Sequence, residues 1–154
     1  MVDFALVPLP DSTLAFLDKA DYSTMNHIMY DALSRRPAPA FIETKTSAGV
    51  VDKSHAQLGI WTAAWLMRLR AANSSQSAIG IPVIQVHGDV WTVMFAMDEG
   101  DKIVVLDQAV RIGDTANMVG AYQLIATLRT FGKWMGTEFR MWLGEFLDDI
   151  PSDN

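Results

Sequence analysis

The 154-residue chain has no cysteine, so neither disulfides nor a thiolate zinc site are available to it. That suits a reducing compartment. No apolar run reaches the ~18 residues a membrane-spanning helix needs. "MVDFALVPLP" has no basic segment ahead of its apolar stretch, so it does not read as a signal peptide. The expectation is a soluble protein of the cytoplasm or nucleus, without membrane contact. A basic excess is also missing: 18 acidic residues against 12 Lys and Arg leave a formal net charge of −6. Neutralising phosphates supplies most of the affinity of nonspecific nucleic-acid binding, so this field disfavours nucleic acid as a partner. A local groove from Arg35, Arg36, Lys45, Lys53, Arg68 and Arg70 remains compatible with it. Internal repeats and low-complexity tracts are absent.

What is present is globular. Half the residues are hydrophobic and 10% are aromatic, enough for a real core in a chain of one-domain length. One domain over residues 1–150 is expected, followed by a frayed tail at 151–154.

"VDFALVPL" reads as a first strand ended by Pro8 and Pro10. Two short helical turns follow within "DSTLAFLDKADYSTMNHIMYDALSRRP", and "APAFIETK" is the second strand. "KSHAQLGIWTAAWLMRLRAA" is the strongest helix, apolar almost all the way round and so expected to be buried. "IPVIQVHGDVWTVMFAM" reads as a hairpin turning at Gly88-Asp89, with "KIVVLD" as a further strand at the sheet edge. From Asp114 an amphipathic helix is expected, with Met118, Ala121, Tyr122, Ile125 and Leu128 on its apolar face. "MGTEFRMWLGEFLDD" forms a last, separate helix. Strands alternating with helices around a central hairpin predict an α/β fold with a mixed sheet.

The second strand raises the chemical question. Side chains alternate across a strand, so Glu43 and Lys45 share a face. Two charges there are costly to bury unless they pair or meet an ion. The plain reading is a solvent-exposed face with a mild ion pair. If Asp3 on the first strand is a neighbour, Asp3, Glu43 and Lys45 converge at one sheet end. Two carboxylates suit a hard cation such as Mg²⁺, and a lysine beside them suits stabilising an anion or orienting a water.

Asp on one strand, Glu-x-Lys as "ETK" on the next and a following helix bearing Gln57 resemble the PD-(D/E)XK nuclease-like superfamily. More closely, the arrangement is similar to a branch of such domains widespread in fungal proteins. "VDF", "MNHIMYDAL", "RPAPAFIETK", "AQLGIWTAAWLMRL", "IPVIQVHGDVW", "IGDT" and "GAYQLIATLR" fall in the order that branch shows. The resemblance implies a mixed central sheet flanked by helices, a restriction-endonuclease-like core. It implies Asp3 and Glu43 as the metal-binding acids, Lys45 as the catalytic lysine and Gln57 as the helix glutamine. The family pattern also has a helix and a strand before the Asp, which here is residue 3. The core is therefore expected to be truncated, and an uncovered sheet edge predicts a homodimer.

Each of these residues also has a structural reading. Ser54 and Gln57 have the spacing of a capping box at a helix start. Lys45 can end a strand in solvent, and Asp3 can be a solvated residue. Among His27, His55 and His87, His55 lies in the first turn of the helix bearing Gln57, which makes it the acid/base candidate. Trp61, four residues after Gln57, either borders a pocket at the site or fills the core; the nine methionines and the other four tryptophans admit the same two roles.

Three functions fit. One is a small-molecule enzyme on a repurposed nuclease-like fold, of isomerase, cyclase or lyase type, using Asp3, Glu43, Lys45, Gln57 or His55 beside an apolar pocket. Another is a Mg²⁺-dependent nuclease, and a third a non-catalytic interaction module. Net charge and the missing first elements favour the small-molecule enzyme, with Mg²⁺ the one cofactor the acids suit.

Overall fold

A computed structural model describes residues 4–6, 37–49, 51–73 and 79–149. Its strands are β1 (Phe4–Leu6), β2 (Ala40–Lys45), β3 (Ile81–His87), β4 (Val90–Asp98) and β5 (Ile103–Asp114). They form one sheet in the order β1-β2-β3-β4-β5. Only β2 and β3 run parallel; their connection passes through helix α1 (Val51–Ala72), as a parallel crossover requires. The other neighbours are antiparallel. The mixed sheet with helices is the α/β architecture the sequence predicts. The expected short helical turns between residues 11 and 36 lie outside the described residues.

Strand alternation divides the interior in two. Phe41, Val83 and Met94 face α1 and join Leu58, Trp65, Leu66 and Leu69 in one cluster. Ile42, Ile84, Val86, Val93 and Ile112 point to the opposite face and meet Leu124 of helix α2 (Met118–Trp134). Burying each such side chain is worth about 1.5–3 kcal/mol. The β3–β4 hairpin turns at Gly88-Asp89 as expected, and Gly88 takes φ 59°, a left-handed conformation suited to glycine.

Four expectations are corrected. First, α1 is not buried all round. Ser54, Leu58, Thr62, Trp65, Leu66 and Leu69 make its inner stripe, while Ile60 and Met67 are exposed. Sheet contact on one side only leaves the apolar outer face open. Second, the edge strand extends beyond "KIVVLD" to Asp114, and the helix starts only at Met118. The Asp114 carboxylate accepts from the backbone amides of Ala116 (3.1 Å) and Asn117 (3.2 Å), tying up the turn. Asn117 then caps the helix by accepting from the Gly120 amide at 2.9 Å.

Third, α2 buries only part of the expected face: Leu128 packs against the second cluster and Ala121 is half-buried. Met118 is 74% exposed, and Tyr122 and Ile125 are exposed, whereas Gly120 and Leu124 are buried. The cause is a close approach of backbones. Gly113 has φ 149°, and a Cβ there would sit 2.6 Å from the Gly120 carbonyl and the Leu124 amide. Docking through this glycine contact turns Leu124, Leu128 and Phe131 toward the sheet and leaves Met118, Tyr122 and Ile125 outward.

Fourth, the last helix is not separate. α2 runs through a five-residue π-helical turn, Met135–Phe139, into helix α3 (Arg140–Asp148). The π turn buries both Met135 and Phe139, and Leu143 and Phe146 of α3 then complete the α1-side cluster.

Candidate active site

The register of β2 and β3 builds the site. Glu43 lies opposite Gln85 and Lys45 opposite His87, and Thr92 of β4 lies opposite Gln85. All five share the α1 face with Phe41 and Val83, but at the carboxyl ends of the parallel pair. Ligands of α/β sheets bind at that end of the strands. The first two turns of α1, with Ser54 and His55, pack there: His55 Nε2 donates to Gln85 Oε1 at 3.0 Å. Thr92 Oγ1 donates to the Gln85 backbone carbonyl at 3.3 Å.

Glu43 is 0% exposed, and the Lys45 side chain 23%. Lys45 Nζ donates to Glu43 Oε1 in an ion pair. This is not the solvent-exposed pair of the plain reading, because the sheet and α1 enclose the carboxylate. The second oxygen, Glu43 Oε2, is buried and has no hydrogen-bond partner among the described residues. The same holds for Ser54 Oγ, Gln57 Oε1 and Gln85 Nε2. A buried polar group without a partner costs about 1–3 kcal/mol. Thr62 Oγ1 and Trp65 Nε1 farther along α1 are unpartnered as well, but Glu43 and Gln85 face each other across β2 and β3, and two unmade bonds on facing residues are a local loss of stability of the kind found at functional sites.

These atoms overturn the capping-box reading. α1 begins at Val51, so Ser54 is its fourth residue rather than its cap. The Ser54 hydroxyl and the Gln57 side-chain carbonyl have no partner to bond at the helix start. Trp61 is half-buried and packs against the apolar cluster. His87 Nε2 donates to the Gly49 carbonyl at 3.2 Å, holding the turn after β2. His27 and Asp3 lie outside the described residues; Asp3 precedes Phe4, whose partner Ile42 precedes Glu43. Glu43 and Lys45 thus pair on β2, and His55 bonds to the Gln85 that lies opposite Glu43, with Gln57 in the turn after His55. Gln85 is a member the sequence reading did not single out. Its available signal was an amide inside an apolar strand, two residues before His87.

A second polar cluster has a structural role. The Asp114 carboxyl is held below its ordinary value, chiefly by the hydrogen bond from Arg111 (2.5 Å). The Asn117 side chain also donates to it at 2.8 Å.

The model of the PD-(D/E)XK nuclease superfamily matches residues 1–140. The chain belongs to that superfamily. No curated protein and no solved structure matches it. No described helix is long and apolar enough to cross a membrane.

Superfamily membership raises the question of a divalent cation. The donor chemistry at Glu43 fits one: Oε2 is an anionic oxygen, wholly buried and unpartnered, the ligand type that Mg²⁺ takes. Among the described residues no three Asp, Glu or His side chains gather around a common point. Glu43 would hold the ion with few other protein ligands, and Mg²⁺ ordinarily keeps several waters.

Proposed function

We propose that this site binds a divalent cation at Glu43 and hydrolyses phosphodiesters, with Asp3 as the second carboxylate and Lys45 as the cationic catalytic group. The observation that carries this reading is the free, fully buried Oε2 of Glu43 beside an oxygen already paired with Lys45. An ion pair alone leaves that oxygen unexplained; a hard cation explains it.

A cation bound there would supply an activated water and neutralise phosphate charge. The chain's own groups do the rest. Glu43 anchors the ion and, through Oε1, holds the Lys45 ammonium in place. Lys45 is the more exposed of the two, so its remaining N–H groups face an incoming substrate and stabilise negative charge developing on phosphate oxygens. The sheet and α1 keep bulk water from Glu43, which strengthens each of these interactions.

The test is cation binding and cleavage by wild type, Glu43→Gln and Lys45→Met. Supporting results are Mg²⁺ or Mn²⁺ affinity in the micromolar to millimolar range (about −8 to −4 kcal/mol), and cation-dependent cleavage of labelled DNA or RNA. Glu43→Gln should abolish both, and Lys45→Met only cleavage. A wild type that binds no cation overturns the reading.

A second reading keeps the same residues for acid/base chemistry on a small molecule. His55, bonded to Gln85 next to the Glu43–Lys45 pair, favours it by placing an imidazole within the site. The formal charge of −6 points the same way, away from nucleic acid. Turnover without added cation, abolished by His55→Ala, is its signature.

A further inference from the structure

The register brings two buried atoms of opposite hydrogen-bonding character side by side. Glu43 and Gln85 are partners on β2 and β3, strands about 5 Å apart. Glu43 Oε2 is an acceptor and Gln85 Nε2 a donor, yet neither has a partner among the described residues. Gln85 is 5% exposed, so bulk solvent does not serve its amide. The carboxamide is held by the helix. His55 Nε2 donates to its Oε1, which leaves the NH₂ end as the one offered to the site, and the Thr92 hydroxyl grips the same residue's backbone carbonyl.

We propose that Gln85 is a substrate-binding residue of this site, whose Nε2 donates to a nonbridging oxygen of a phosphate group held at Glu43 through a divalent cation. This rests on the metal-dependent reading above. A direct bond between Glu43 and Gln85 would satisfy both atoms. Left apart, they suit one ligand that is cationic toward the carboxylate and accepting toward the amide. A cation-bound phosphate has both characters. Lys45 and Gln85 then hold the phosphate from two adjacent strands, one by charge and one by direction.

Calorimetry on the full chain decides it through two affinities: Mg²⁺ alone, and thymidine 5′-monophosphate in saturating Mg²⁺. The proteins are wild type, Gln85→Leu, His55→Ala and Glu43→Gln. Gln85→Leu is expected to keep Mg²⁺ affinity within about threefold while weakening the nucleotide about tenfold or more, the loss of one hydrogen bond to a charged group. His55→Ala leaves the amide present but unclamped, and should weaken the nucleotide by a smaller factor with Mg²⁺ affinity kept. If Gln85→Leu does not fold, His55→Ala decides alone. Nucleotide affinity equal to wild type in the variants, or no nucleotide binding by a wild type that does bind Mg²⁺, assigns Gln85 a packing role and overturns the proposal. A wild type that binds no Mg²⁺, or binds it equally well as Glu43→Gln, fails the metal-dependent reading itself and this proposal with it.

Discussion

Phe41 and Glu43 stand two residues apart on one strand, face the same helix and are both buried, but they meet opposite surroundings. Phe41 packs edge-on against Trp65 with ring centroids 6.3 Å apart, inside a cluster that also takes Leu66, Leu69, Val83 and Met94. Glu43 meets one lysine and a group of polar atoms with unmade bonds. The α1 end holding Leu66 and Leu69 is filled with apolar side chains; the end holding Ser54 and His55 is lined by polar ones, and unmade bonds extend along the helix to Thr62 Oγ1 and Trp65 Nε1. Such a division is what a site carved into a core looks like, since stability given up locally must be supplied elsewhere in the same sheet.

The comparison is open to direct tests. Phe41→Ala should cost the most, about 3–5 kcal/mol for a fully buried aromatic, read as a lower midpoint in urea unfolding. Glu43→Gln removes a buried charge rather than a packed ring. It should leave stability within about 1 kcal/mol of wild type, or raise it, while cation binding is lost. A loss as large as that of Phe41→Ala would make Glu43 a structural residue and erase the contrast between the two ends.

A smaller effect sharpens the apolar end. There Arg70 of α1 grips Asp98 of β4 through two hydrogen bonds, Nε to Oδ2 at 3.0 Å and a terminal nitrogen to Oδ1. The Arg70 hydrogen bond, more than any other cause, holds the Asp98 carboxyl below its ordinary value of 3.8. A carboxyl lowered in the folded state contributes stability above its unfolded value and loses it as pH falls through the folded one. Asp98→Asn should therefore be less stable than wild type near neutrality, with the two curves of urea midpoint against pH converging as pH falls below the ordinary carboxylate range. Curves that stay parallel into acid would show that the pair adds nothing. The smallest effect belongs to the outer face of α1. Met67 is exposed beside the fully buried Leu66, so Met67→Gln should shift stability by no more than about 0.5 kcal/mol.

Much of the site was legible because it depends on short-range periodicity. Strand alternation alone puts Glu43 and Lys45 on one face, and Gly88-Asp89 between two apolar runs marks the hairpin. His55 and Gln57 sit early in α1 by position in the chain. Gln85 was not legible, because its importance comes from the parallel register with β2, which joins residues 42 positions apart. The α2 face was misread for a related reason. Tyr122 and Ile125 have helical spacing with Met118, but the contact between Gly113 and Gly120 decides that the side with Leu124 docks. The burial of Glu43 was also beyond the sequence, since the same "ETK" on an uncovered strand would be solvated.

The strand and helix alternation, the shared face of Glu43 and Lys45 and the superfamily could be read from local spacing and from the order of motifs along the chain. That Gln85 lies beside Glu43, that the carboxylate is buried and that α2 docks through Gly120 and Leu124 came from long-range contacts. Those outcomes rest on which distant segments touch, and a contact between backbones, or a register between strands far apart in the chain, leaves no periodic trace in either segment alone.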